Sequence, residues 1–167
     1  GLARRPANSS LAAPLTAVTS DLDATIRDIR GTIFELQRQR GGSLRAELRG
    51  LVREYAAVLG HTPHVRTSGP VDSVVPDRVR EQLLPVLREA LSNITRHAHA
   101  THAEVIVQVT PHQLSLTVLD DGVGLAPELN QSGLRNARRR ATNLGGTLAL
   151  EARDPRGTTL TWCVPLA

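Results

Sequence analysis

The sequence predicts an α+β fold, a two-layer α/β sandwich in which a mixed sheet carries helices on one face. Three observations lead there. An apolar stripe of helical period runs from about residue 76 to 98. The period falls to two in "AEVIVQVT" (103–110) and "QLSLTVLD" (113–120). It becomes helical again to about Asn143 and alternates once more in "TLALEA" and "TTLTWCVPL". Hairpins therefore outnumber crossovers, which disfavours a doubly wound parallel sheet.

The elements follow in order. "GLARRPANSSLA" mixes Arg, Pro, Asn and Ser and reads as a loop. From Leu15, apolar residues recur at Val18, Leu22, Ile26, Ile29, Ile33 and Leu36, the stripe of a long helix. Such a stripe needs a partner. A second copy of the chain is the economical one, and packing on its own domain is the alternative. "RQRGG" (38–42) breaks this helix like a hinge. A second helix is expected from about Ser43, its N-cap, to Leu59, with Gly60 as the stop. "HVRTSGP" (64–70) alternates weakly as a short strand. The helix starting near Pro76 or Asp77 continues past Pro85, kinked or split there, to about Ala98.

Composition bounds the function. Hydrophobic residues make up 40% of the 167, but Phe34, Tyr55 and Trp162 are the sole aromatics, so the core must be aliphatic. Net charge is +4, carried by arginines spread along the chain without interleaved aromatics. A base-stacking platform is therefore absent, and direct nucleic-acid binding is not expected. The single cysteine, Cys163, lies in an apolar alternation, reads as a structural thiol and fits a reducing compartment. No apolar run approaches the roughly 20 residues of a membrane span, and no leader is evident. The expectation is a cytoplasmic chain without membrane contact.

Four segments carry candidate chemistry. In "REALSNITRHAHA" (88–100), Glu89, Asn93 and His97 are spaced by four and form one polar file along a helix. A carboxylate can accept a proton or orient a nucleophile, an amide oxygen suits Mg²⁺, and an imidazole can donate to phosphate. The plain alternative is three solvated helix residues. In "DDGVG", Asp120 ends a strand, and Gly122 and Gly124 let the backbone turn sharply and a ligand come close. By itself this is a common Asp-Gly turn. In "SGLRNARRRA" (132–141), Ser132 and Gly133 open a helix whose free N–H groups favour an anion. Arg135, Arg138, Arg139 and Arg140 cannot all face one ligand, so at least two belong to a basic surface. In "RGTTL" (156–160), Gly157 and Thr158 enter a strand, either beside a pocket or in a mere turn.

In this order and spacing the four segments resemble the ATP-binding catalytic domain of histidine kinases, the Bergerat (GHKL) fold shared with gyrase, heat-shock chaperones and mismatch-repair ATPases. "REALSNITRHAHA" resembles the asparagine box, "DDGVGL" the first glycine box, "SGLRNARRRATNLGG" the second, and "RGTTL" the terminal Gly-Thr element. The wording is similar to bacterial two-component sensor kinases that pair with response regulators bearing a helix-turn-helix output domain. "DLDATIRDIRGTIFEL" resembles the second dimerisation helix of that subfamily, in wording close to actinobacterial heme-sensing kinases.

The resemblance implies ATP and Mg²⁺ as cofactors, a response regulator as partner and a homodimer in the full-length protein. It implies Asn93 as the Mg²⁺ ligand and Glu89 as base or as the group orienting an attacking imidazole. His97 would lie near the phosphates. Asp120 would accept from the adenine amine, with Gly122 and Gly124 shaping the wall. Gly133 and Leu134 would offer N–H groups to phosphate, and Thr158 would support the adenine end. The implied organisation is a partial dimerisation region (1–40), a helical connector (41–63) and the catalytic domain (64–167).

Two departures accompany it. None of the six histidines has the context of a phosphoacceptor, which is expected upstream of this sequence. Only Leu125–Ser132 separates the glycine boxes, and so short a lid predicts weak nucleotide binding, about tens to hundreds of micromolar. An anti-sigma-type serine kinase and a non-catalytic nucleotide-binding, partner-docking module are the competing readings. The dimerisation-type helix argues against the first. Retention of Glu89, Asn93 and Asp120 together argues against the second.

Overall fold

The computed structural model describes residues 42–124 and 131–166. They form one unit, beginning at Ser43. The expected loop and long helix of residues 1–40, and residues 125–130 of the short lid, lie outside the described residues.

The sequence signals are met where they can be checked. Helix α1 (Leu44–Leu59) starts behind Ser43, whose hydroxyl accepts the Ala46 N–H, and stops at Gly60, left-handed at φ 75°. Its buried stripe, Leu44, Leu48, Leu51 and Val52, packs on strand β1 (His64–Ser68) and on the later helix α3. This segment, expected as a helical connector, packs within the same unit as the sheet. A single turn, α2 (Val71–Val74), follows β1. Four residues are too few for a period to show, so this turn carries no sequence signal.

Helix α3 (Asp77–Asn93) runs through Pro85. A proline inside a helix costs about 3 kcal/mol. Leu83, Leu84, Val86 and Leu87 around it are all buried, and that burial offsets the lost hydrogen bond. Past Asn93 the helix widens into a π turn, Ile94–Ala98. The Ile94 N–H is shared between Ala90 O and Leu91 O, and Thr95 Oγ1 donates to Leu91 O at 2.9 Å. The turn ends at His99, left-handed at φ 48°.

Strands β2 (Ala103–Val109) and β3 (Gln113–Asp120) form a hairpin in which Val109 faces Leu114 and Ala103 faces Asp120. Thr110 N–H donates to Gln113 O, and Gln113 N–H donates to Thr110 Oγ1, closing the turn. Helix α4 (Gln131–Asn143), β4 (Thr147–Ala152) and β5 (Thr158–Pro165) complete the unit. The sheet order is β1-β2-β3-β5-β4, with β1 parallel to β2 and all other pairs antiparallel. This is the predicted mixed sheet.

Alternation decides which face is buried. Val105 and Val107, Leu114 and Leu116, and Trp162 and Val164 point to the helices. They meet Leu48, Leu83, Leu87 and Leu91 in an aliphatic core with a single large aromatic.

Candidate ATP-binding site

On β3 the buried positions are Leu114, Leu116, Val118 and Asp120. The strand's period of two therefore delivers a carboxylate to the next core-facing position after three apolar residues. Asp120 is the buried acidic residue of the core, 6% exposed. Its Oδ1 accepts the Gly122 N–H at 2.8 Å. Burial pushes its pKa up. The Gly122 and Thr158 amides and Arg153 oppose that rise, and the Asp121 charge adds to it. Arg153 Nη1 also donates to Asp120 O at 3.0 Å.

The neighbouring carboxylate does a different task. Asp121 accepts from Thr101 N–H and His102 N–H, both at 2.8 Å, and from Thr101 Oγ1 at 2.6 Å. The Thr101 hydroxyl leads a set of donors that holds its pKa at about 2. This ties the loop after β3 to the segment after the π turn. Gly122 completes the junction: a Cβ there would collide with the Ala98 carbonyl, and Val123 N–H donates to that same oxygen at 2.9 Å.

These elements enclose a cleft with about 410 Å³ of empty space, part of it open to solvent. Asn93 and His97 face it from the end of α3 and the π turn, Asp120 and Gly124 from β3 and its loop, Leu134 from α4, and Thr158 from β5. Six of the nine predicted site residues thus share one wall-to-wall space. Gly122 lies behind the wall, packed on Ala98. Glu89 and Gly133 lie against each other, at the junction of α3 and α4. Asn93 and His97 line the cleft across the π turn, whereas Glu89, one regular turn earlier on α3, lies against Gly133 and is not a lining residue. Sequence reasoning missed Leu150 and Leu160, the apolar floor contributed by β4 and β5. The alternation of both strands was the available signal.

The donors that face the cleft suit Mg²⁺. Among the described residues, no group of three His, Cys, Asp or Glu side chains converges on a metal position. A protein-only cage is thus absent there, and a single amide, Asn93, faces the cleft. That pattern fits Mg²⁺, which keeps several waters and is held by few protein oxygens together with substrate phosphates.

Residues 78–167 match the family described as histidine kinase-, DNA gyrase B-, and HSP90-like ATPase, and the chain belongs to that family. Within it, the relatives are sensor histidine kinases. The chain is 29% identical over 141 residues to sensor histidine kinase YxjM of Bacillus subtilis (strain 168), covering 84% of this chain and 35% of that protein. It is 33% identical over 149 residues to the nitrate/nitrite sensor protein NarX of Escherichia coli (strain K12), covering 86% and 25%. The chain thus spans about a third or less of the length of these relatives. Among solved structures, the histidine kinase domain of the Erythrobacter litoralis EL346 blue-light activated kinase superposes with a TM-score of 0.58 at 25% identity. That match covers 74% of this chain and 61% of the other. The family match and the fold identify this unit as a histidine kinase-like ATPase domain, similar to those of sensor histidine kinases.

Proposed function

We propose that this chain supplies the kinase half of a two-component phosphorelay. It binds Mg-ATP in the described cleft and presents the γ-phosphoryl to a histidine on a dimerisation helix. The observation that carries this is the convergence of Asn93, Asp120, Leu134 and Thr158 on one cleft. In this reading the intact protein is a homodimer in the cytoplasm. It passes the phosphoryl on to a response regulator with a helix-turn-helix output domain. Residues 1–40 contribute part of the dimerisation region, 41–63 the connector and 64–167 the catalytic domain.

Each residue has a task that its position supports. Asp120, buried at the end of β3, accepts from the exocyclic amine of adenine and selects it over a base with a carbonyl there. Thr158 adjoins Asp120 in register and supports the same end. Gly124 keeps the mouth open, and Gly122 keeps the wall low by packing on Ala98. At the other end the Gly133 and Leu134 amides, in the first turn of α4, hold phosphate oxygens. His97 donates to the same group. Asn93 would hold Mg²⁺, which neutralises charge on the triphosphate. Glu89 orients the attacking imidazole. Phosphoryl transfer asks for positioning and charge compensation, which this set provides.

The test is transfer of labelled phosphate from ATP to a separately supplied dimerisation domain containing the histidine. The chain is expected to label it, and Asn93→Ala to abolish labelling. An acid-labile, base-stable product marks phosphohistidine. ATP binding without transfer would instead favour a docking module, and an acid-stable phosphoserine product a serine kinase.

A further inference from the structure

We propose that, before nucleotide binds, the Glu89 carboxylate is latched on α4 at Gly133, and that the arriving triphosphate takes its place and frees it. The inference rests on reading the cleft as the ATP site.

The geometry is specific. Glu89 lies one helical turn before Asn93 on α3, yet Asn93 lines the cleft and Glu89 does not. Both Glu89 carboxylate oxygens lie against Gly133, at the place where any side chain on residue 133 would begin. Gly133 is buried, and Leu134, the next residue, lines the cleft. The carboxylate therefore rests in the first turn of α4, beside the same wall that the phosphates would approach. N–H groups of that turn favour whichever anion is present. A carboxylate and a phosphate cannot share one such seat without strong like-charge repulsion.

Two consequences follow. Triphosphate binding is opposed by the energy of the latch, which adds a reason for weak affinity. The displaced Glu89 becomes available to orient the acceptor only once the phosphates are in place. The acid is thus released by the substrate it serves. The absence of a side chain at position 133 is what permits the latch.

The test is calorimetric binding of ATP and of adenosine, with magnesium present, to the chain and to two variants. Glu89→Asp keeps the charge but shortens the arm, so it no longer reaches Gly133. Glu89→Gln keeps the length and removes the charge. Both are expected to bind ATP about threefold to tenfold more tightly than the unaltered chain, with adenosine affinity unchanged. If Glu89→Gln gains but Glu89→Asp does not, plain repulsion across the cleft explains the result and the latch is overturned. If neither gains, it is likewise overturned. If the unaltered chain binds neither ligand, the ATP reading of the cleft fails, a result distinct from both.

Discussion

Arg80 on α3 grips Glu47 on α1 at two points, Nε to Oε2 at 3.0 Å and Nη2 to Oε1 at 2.6 Å. Their side chains are 17% and 8% exposed, so the pair is largely shielded from water. It fastens α1 to the helix that bears Asn93. Arg80→Ala would leave the carboxylate with fewer partners in that shielded place. A loss of about 2–4 kcal/mol is expected in urea unfolding. The double variant Glu47→Leu with Arg80→Met is expected to lose less than Arg80→Ala alone. A larger loss in the double variant would mean that the pair itself, and not the stranded charge, carries the stability.

Asp120 is expected to trade stability for binding. Its pKa is raised by burial, so the folded chain holds the proton more tightly than the unfolded chain. Its favourable contribution is therefore complete below the ordinary carboxyl range and is lost as pH rises through the raised value. At neutral pH the ionised group costs stability. Asp120→Asn should melt no lower than the unaltered chain at pH 7, while ATP affinity falls about tenfold or more. A lower melting temperature would contradict the argument.

Asp121 behaves in the opposite way. Its pKa is lowered from 3.8 to about 2, so its contribution is present above the ordinary value and disappears as pH falls toward 2. Thr101→Val removes the first of its donors. The variant should be less stable than the parent at pH 7, with the gap closing near pH 2. Urea melts at the two pH values measure this, and a constant gap would refute it.

Gly122 has no room for a side chain, because a Cβ would meet the Ala98 carbonyl and Cβ. Gly122→Ala must push the loop off the π turn. A loss of about 1–3 kcal/mol is expected, together with weaker ATP binding, since the same loop carries Gly124. Retained affinity with full stability would show that the junction is softer than its geometry implies.

The parts of this fold that were legible from sequence are those with a repeating signal. Ser43 and Gly60 bracket α1, and the alternation through Leu114, Leu116 and Val118 carries the eye to Asp120. The widening after Asn93 was not legible, because a π turn has no period of its own and depends on where Ala98 is held by Val123. The pairing of Asp121 with Thr101 was hidden for a related reason. It joins two loops 20 residues apart, and neither loop has a pattern. The contact of Glu89 with Gly133 depends on how α3 meets α4, which is decided by packing and not by either helix alone.

The hairpin between β2 and β3 gives the cleft a remote dependence. Eight consecutive pairs hold β3 to β5, from Gln113 with Pro165 to Asp120 with Thr158, and the hydrogen-bonded turn at Thr110–Gln113 sets where that count begins. Strands have only two phases. Inserting one residue into the turn would present Leu119 in place of Asp120, and an oily side chain would stand where the proposed base contact is made. Under the proposed reading, base selection is thus timed from the far end of a strand, by a turn that does not line the cleft.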